Sequence, residues 1–262
     1  MSKTSLITGA TAGIGYELSK IFAKNGYNLV LVSRDKQRLE ATAKDLKNEN
    51  EIQVKVISKD LCKSSAPGEL YDKVKADGID INVLVNNAGF GTNGKFTDFS
   101  AEKHMDLIQL NIASLTMLCK LFGTDMIKKR SGSILNVAST AAFQAGPFMS
   151  TYYASKAYVL MFSEALNNEL AQDGVIVTVL CPGPTQTEFF ERNDMVNTNI
   201  AKSPHIMKAA VVAQAGFDGL MKGKRIVIPG LVNKTLAFTV RFTPRSIINR
   251  ITSYLNQKTA VS

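Results

Sequence analysis

Three side chains near the middle of the chain have the types and spacing for acid–base chemistry. Ser139 is followed thirteen residues later by Tyr152, and Lys156 lies four residues beyond that tyrosine. Residues i and i+4 of a helix share a face, so a phenol and an ammonium at this spacing can converge on one small volume. A free tyrosine, with a pKa of about 10, is a poor acid–base group at neutral pH. A cation beside it favours the phenolate, and a tenfold gain in acidity corresponds to about 1.4 kcal/mol. Ser139 can then hydrogen-bond a carbonyl oxygen while Tyr152 exchanges a proton with it. Such a set would interconvert a carbonyl and an alcohol.

The surrounding elements must bring these groups together. Ser133 to Ala138 reads as a strand that delivers the serine at its carboxyl end. From Ser150 the apolar residues Ala154, Ala157, Leu160, Met161 and Ala165 recur at helical steps. At the start of the chain, Ser5-Leu6-Ile7-Thr8 predicts a buried strand, followed by Gly9-Ala10-Thr11-Ala12-Gly13-Ile14-Gly15 and a helix to about Asn25. Strand, glycine-rich turn and helix set backbone N–H groups and a helix N-terminus against a pyrophosphate. The Gly-x-x-x-Gly-x-Gly spacing departs from the commonest dinucleotide fingerprint.

A second strand, Asn28 to Val32, ends at Ser33-Arg34-Asp35. An acid at the end of this strand would bond a ribose 2′-hydroxyl, whereas an arginine accommodates a 2′-phosphate. Ser33 and Arg34 therefore favour NADP, with Arg34 stacking on adenine or pairing with the phosphate and Arg38 assisting. Asp35 is expected to cap the next helix. A third strand, Ile52 to Ile57, leads to Lys59-Asp60-Leu61, and a fourth, Ile81 to Val85, runs into Asn86-Asn87-Ala88-Gly89. Ala101 to Lys128 is a long helix of period 3.6, apolar at Met105, Ile108, Leu110, Ile112, Leu115 and Leu118. Val175 to Leu180 is almost continuously apolar, as in a parallel sheet covered on both faces, and ends in Cys181-Pro182-Gly183-Pro184-Thr185-Gln186-Thr187. Arg225 to Ile228 reads as a last strand.

These motifs, in this order, resemble the short-chain dehydrogenase/reductase family. Thr8 opens a Thr-Gly-x-x-x-Gly-x-Gly motif, Asn-Asn-Ala-Gly follows at 86–89, and Ser139 precedes Tyr152-x-x-x-Lys156. The likeness covers essentially Thr4 to Ile228. It implies an NADP(H) site built from Thr8, Gly9, Thr11, Gly13, Ile14 and Gly15, then Ser33, Arg34 and Arg38, with Asp60 and Leu61 at the adenine. Asn87, Ala88 and Gly89 would also meet the cofactor, which the glycine lets approach, and Pro182, Gly183 and Thr187 would contact the nicotinamide. Ser139 would orient the substrate carbonyl, Tyr152 donate the proton, and Lys156 lower the tyrosine pKa and hold the nicotinamide ribose. Asn111 matches an asparagine that holds a water linking the lysine to solvent. The NADP reading implies the reducing direction. A segment from about 185 to 206, with Phe189, Phe190 and Met195, would form a mobile loop over the substrate. Ser139, Phe143, Phe148 and Phe189 are assigned to substrate, and with Pro147 and Met149 they imply a hydrophobic ketone such as a 3-oxoacyl chain or a steroid-like molecule. The alternative is a dinucleotide-binding sensor or scaffold without turnover. Such proteins usually lose the serine, tyrosine or lysine, and all three are present. The epimerase and dehydratase branch has a longer chain and another glycine spacing.

The fold expected is α/β, a single-domain doubly wound parallel sheet (Rossmann-like) over 1–230 with helices on both faces. A helical extension, 231–262, is expected to pack on the same domain. The 45% hydrophobic content of the 262 residues suffices for one large core. Cys62, Cys119 and Cys181 lack metal-ligand spacing and read as reduced thiols of a cytoplasmic protein. Met1-Ser2-Lys3-Thr4 passes directly into a strand with no secretory signal, and no apolar run is expected to reach membrane-spanning length. The net charge of +9 lies entirely after Ile200, where ten basic residues face a single acid, Asp218. That imbalance implies either solubility or recognition of something anionic, such as a carrier-linked acyl substrate met by Lys222, Lys224 and Arg225. Nucleic-acid recognition motifs are lacking. The amphipathic segments Leu231 to Phe242 and Ile247 to Leu255, divided at Pro244, could dock on the sheet, join subunits of a homo-oligomer, or lie on a membrane surface. Packing or oligomerisation is the expected outcome.

Overall fold

The computed structural model describes residues 3–258; Met1, Ser2 and residues 259–262 of the extension lie outside them. The first half of the chain runs β1 (Thr4–Thr8), α1 (Gly13–Lys24), β2 (Asn28–Ser33), α2 (Lys36–Glu49), β3 (Val54–Ser58), α3 (Ala66–Ala76) and β4 (Val83–Asn86). There follow α4 (Ala101–Ile108), α5 (Leu115–Lys129), β5 (Gly132–Val137), α6 (Ser150–Leu170) and β6 (Val175–Leu180). The remainder comprises β7 (Thr185–Gln186), α7 (Phe189–Arg192), β8 (Met207–Lys208), α8 (Ala209–Met221), β9 (Ile226–Val227), α9 (Leu231–Thr239) and α10 (Arg245–Asn256). Seven parallel strands form one sheet in the order β3-β2-β1-β4-β5-β6-β9. This is the doubly wound, Rossmann-like fold that the sequence predicts, with helices on both faces.

Alternation along each strand feeds both layers. Leu6, Val30, Leu84, Ile134 and Val177 face α3, α5 and α6, while Ile7, Leu31, Val85, Leu135 and Leu180 face α1, α2 and α8. On the second side Phe22 meets Phe217 edge-to-face at 5.0 Å, joining α1 to α8. Burying one such ring contributes about 1.5–3 kcal/mol. The register Thr8↔Val32, Asn86↔Asn136 and Val137↔Leu180 brings the strand ends to one edge of the sheet. Every loop with a candidate chemical group leaves from that edge.

The long helix beginning at Ala101 contains a break that its periodicity concealed. Gln109–Ser114 is a π turn between α4 and α5, a rare geometry that recurs at functional sites. The whole stretch, Ala101–Lys129, is also long and apolar enough to cross a membrane, with a window of mean hydropathy 1.3. This corrects the expectation that no segment reaches that length. Nearly half of that window is buried inside the molecule, and Leu118, Phe122 and Met126 sit in the core. It is a core helix whose outer side leaves Met105 and Met117 exposed.

The extension packs on the body through polar groups. Ile248, Thr252 and Asn256 form the inner side of α10. The Thr252 hydroxyl donates to the Ala145 carbonyl at 3.0 Å, and the Asn256 amide donates to the Pro147 carbonyl at 2.9 Å. Lys222, Lys224 and Arg225 lie elsewhere. They precede β9 and line no part of the cavity; the Arg225 and Lys224 carbonyls accept from Val179 N and Thr178 Oγ1 of β6.

Candidate active site

A cavity of about 1150 Å³ opens along the carboxyl edge of the sheet and reaches from β2 to the extension. Its inner wall begins with the turn between β1 and α1. Gly9 and Gly13 have φ of +67° and +54°, which side chains with a Cβ rarely adopt. A Cβ on Gly13 would stand 2.8 Å from Thr187 Cγ2, so the loop after β6 closes directly onto this turn. α1 starts without a side-chain cap and without an acid in its first turn. Its first N–H groups therefore lack local side-chain acceptors, as a bound pyrophosphate requires. These features fit a dinucleotide.

Thr8 and Gly15 support the cradle from behind. The Thr8 hydroxyl accepts from the Asn87 and Ala88 amides at 3.0 Å each and donates to the Val85 carbonyl at 3.3 Å. Asn87 Nδ2 returns bonds to the Thr8 and Gly9 carbonyls at 3.0 and 3.1 Å. Gly15 is buried where α1 touches this junction. Thr11, Ile14, Ser33, Arg34, Arg38, Asp60, Leu61, Ala88, Gly89, Pro182 and Gly183 all line the cavity. Thr11 and Ser33 hydroxyls are 3.4 Å apart. Arg34 has no acidic partner among the described residues. Arg38 instead makes a two-pronged pair with Glu188, which also holds Arg192. Asp35 caps α2 by accepting from Arg38 N at 3.0 Å, as expected.

At the other end of the cavity, Ser139 stands at the carboxyl end of β5. Its hydroxyl accepts from Ala141 N at 3.1 Å and donates toward the Pro182 carbonyl at 3.4 Å. The Tyr152 phenol lies close by, and the serine hydroxyl favours its ionised form. The serine and tyrosine that the sequence placed thirteen residues apart therefore meet. Lys156 is near but differently used than expected. Its ammonium lies 5.7 Å from the Tyr152 ring centroid and donates to the Val137 carbonyl at 2.9 Å. Burial pushes the phenol above its ordinary value, outweighing the Ser139 hydroxyl that favours ionisation. In this structure the Lys156 charge is aimed at a backbone carbonyl and not at the phenol oxygen.

Burial also pushes Lys156 down to about 8 from 10.5. Between these two values the unfolded chain keeps a proton that the native state has lost, so stability rises with pH across that window. Urea unfolding of wild type and Lys156→Met at pH 7 and pH 10 checks this. The wild type is expected to gain on the variant as pH rises, and a constant difference would contradict the burial argument.

Asn111 sits on the π turn. Its amide spans the Phe90 backbone, accepting at 3.2 Å and donating at 3.0 Å, and donates to Ser155 Oγ at 3.0 Å. Ser155 in turn donates to the Tyr152 carbonyl at 2.7 Å. The π turn thereby ties α5 to the first turn of α6. A Cβ on Gly89 would come within 3.0 Å of Asn111 Oδ1 and 3.4 Å of Lys156 Nζ.

The segment after β6 is more ordered than a bare loop. β7 and β8 pair, enclosing α7 and a turn at Ile200–Lys202. Phe189 meets the Tyr152 ring at 5.3 Å and lines the cavity with Phe190 and Met195. Two aromatic expectations fail. Phe143 packs against the core and does not line the cavity. Phe148, with φ of +65°, lines a separate smaller cleft near Asn93 and Phe99. Met149 takes the wall position instead. Also unforeseen were Asn193, which accepts from Gly91 N at 2.9 Å, and Asn233, buried against Gly183. Tyr153 is buried too, and its hydroxyl donates to Asn256 Oδ1 at 3.3 Å, so the second tyrosine anchors α10.

Comparison with known proteins agrees with this geometry. A family model described as short chain dehydrogenase matches residues 3–197. The 3-oxoacyl-[acyl-carrier-protein] reductase of Chlamydia trachomatis is 30% identical over 240 residues, 88% of this chain and 97% of that protein. The 17-beta-hydroxysteroid dehydrogenase type 3 of Mus musculus is 35% identical over 205 residues, 76% of this chain and 66% of its own. A hydroxysteroid dehydrogenase-like protein of Gallus gallus is 37% identical over 68% of this chain and 54% of its own length. The chain therefore spans between about half and two thirds of these hydroxysteroid dehydrogenase relatives. Among solved structures, a short-chain dehydrogenase from Sphingobium yanoikuyae in complex with NADPH superposes with TM-score 0.83, at 32% identity over 94% of this chain and 95% of the other. With a family model over most of its length and relatives matched nearly end to end, this chain belongs to the short-chain dehydrogenases.

Proposed function

We propose that the protein is an NADP(H)-dependent oxidoreductase that reduces a bulky hydrophobic ketone to a secondary alcohol. The observation that carries this is the Ser139–Tyr152 hydroxyl pair facing the cavity beside the glycine cradle. Bound in that cradle, the dinucleotide would supply the hydride. Ser139 donates to the substrate carbonyl oxygen and polarises it. Tyr152, held protonated by burial, gives its proton to that oxygen as negative charge develops there. Lys156 is assigned to the nicotinamide ribose, and Asn111 to positioning the start of α6.

Arg34 supports NADP, since it stands exposed at the end of β2 and its neighbour Arg38 is already engaged by Glu188. Apolar walls at Met149, Phe189, Leu236 and Ile251 support a bulky, greasy substrate. A relative by structure, the bulky-bulky ketone specific alcohol dehydrogenase from Comamonas testosteroni, has TM-score 0.78 at 30% identity over 92% of both chains. Lys222, Lys224 and Arg225, expected to meet a carrier, line no part of the cavity, which favours a free ketone over a carrier-linked one.

The direct test is NADPH oxidation against a panel of bulky cyclic ketones, 3-oxoacyl thioesters and aldehydes. Rates confined to small aldehydes, or absent throughout, would overturn the reading. Arg34→Leu should weaken NADPH binding at least tenfold, the loss of a charge-assisted contact worth about 1.5–3 kcal/mol. NADH binding should hardly change. Equal losses for both dinucleotides would reduce Arg34 to a stacking residue.

A further inference from the structure

The outer side of the extension carries unusually much apolar surface for a helix pair packed on a core. While Ile248, Thr252 and Asn256 point inward, the opposite side of α10 exposes Ile247, Ile251 and Tyr254. On α9 and the turn after it, Leu231 is 80% exposed and Phe242 75% exposed. Phe238 and Phe242 stack edge-on at 5.3 Å, forming one outward aromatic knob. Interleaved with these are Lys234, Arg241, Arg245 and Arg250, all exposed, and no acid occurs between Leu231 and Asn256. The same elements form part of the cavity wall: Val232, Leu236 and Ile251 are each more than 40% exposed and also line it. Val232, Leu236 and Ile251 thus present apolar side chains both to the outside and to the chamber that holds Tyr152.

We propose that the outward side of α9 and α10 docks on an anionic lipid bilayer, and that lipophilic substrate enters the cavity from that bilayer. Aromatic and aliphatic groups ringed by Lys and Arg are the composition of an interfacial helix, in which burial and attraction to anionic headgroups add. A second copy of the chain suits this face poorly. A two-fold contact would set the four cations of one protomer against the same four of the other, with no acid on the extension to offset them. α10 is also stitched to the loop over the cavity: Asn199 Nδ2 donates to the Tyr254 carbonyl at 2.8 Å, and Lys258 pairs with Asp194. A membrane contact there lies beside the loop that a substrate must pass. Entry by this route rests on the ketone-reduction reading, whereas docking does not.

The test uses the full chain pelleted with vesicles of equimolar phosphatidylcholine and phosphatidylglycerol, and with vesicles of phosphatidylcholine alone. Pelleting is expected with the anionic vesicles only, and added salt should release the protein. Phe238→Ser with Phe242→Ser should weaken partitioning at least about tenfold. Arg241→Gln with Arg245→Gln and Arg250→Gln should weaken it about a hundredfold. Lys222→Gln with Lys224→Gln, ahead of β9 and outside α9 and α10, should leave it unchanged. None of these residues lines the cavity, so turnover of a water-soluble ketone reports that each variant is folded. Equal pelleting with both vesicles, no pelleting, or equal sensitivity to the Lys222 and Lys224 substitutions would overturn the docking surface. So would sedimentation showing a wild-type dimer that the phenylalanine variants convert to monomer. Vesicle binding without turnover of any ketone would leave the surface standing and remove the reduction reading alone.

Discussion

Tyr152→Phe is expected to lower kcat by about 10²- to 10⁴-fold, the range that a positioned proton donor contributes. The substitution removes one oxygen and leaves the ring, its contact with Phe189 and its place on α6 intact. Dinucleotide affinity, measured by fluorescence titration, should therefore change little. Tyr153→Phe is the informative partner. Its hydroxyl bonds Asn256 and not the reacting oxygen, so most activity should remain, with a modest loss of thermal stability. The reverse pattern would move the proton donor to Tyr153 and undo the assignment of the site. A rise in KM with unchanged kcat for Tyr152→Phe would do the same, since that signature belongs to lost ground-state binding.

Gly15→Ala is expected to damage the fold and the cofactor site together. A methyl group at this position would lie 2.2 Å from the Gly9 carbonyl oxygen and 2.3 Å from Asn87 Nδ2. Neither can retreat freely: one is backbone of the cradle, and the other holds the Thr8 and Gly9 carbonyls. Overpacking of this kind costs about 1–3 kcal/mol. In a chain of this size that lowers Tm by several degrees, at about 2–4 °C per kcal/mol. The protection that NADPH gives against thermal unfolding should shrink in the same variant. Gly68→Ala serves as the contrast. It lies in α3 with nothing within 4 Å of an added Cβ, so helix propensity predicts a gain of about 0.5–1 kcal/mol. If both variants behaved alike in a thermal scan, the close approach of α1 to the cradle would not be what requires glycine there.

The fold was legible because parallel strands buried on both faces leave near-continuous apolar runs. Val175 to Leu180 was read to the residue, as was the helix start at Ser150. Local backbone requirements were legible as well, since Gly9 and Gly13 announce a turn that few other residues tolerate. What escaped was set by tertiary contact. The π turn at Asn111 adds no residue pattern of its own; a helix of period 3.6 and one with a single wide turn share the same apolar stripe. Phe143 and Phe148 were placed at the substrate because they are apolar and adjacent to Ser139, yet chain direction after β5 sends one into the core and the other to a second cleft. Glu188 gave no signal, because its partners Arg38 and Arg192 come together only when the loop after β6 folds back over β2. The backbone acceptor of Lys156 escaped for a related reason. Spacing fixes how near a lysine can come, but not which acceptor its ammonium chooses.

The strand order has a consequence for how the molecule emerges during synthesis. β1, the first of this sheet's strands to be made, ends in the interior of the sheet, and β2 and β3 add beyond it on one side in the order in which they are translated. β4 then attaches to the free side of β1, and β5, β6 and β9 follow outward in turn. No strand has to be inserted between two that are already paired, so the sheet can grow by accretion from a nascent N-terminal half. Until β4 arrives, one side of β1 is an unpaired and strongly apolar edge, the kind of surface that invites aggregation. A ribosome-bound chain stopped before Val83 should accordingly need chaperone protection, whereas one released after Asn136 has already covered that edge.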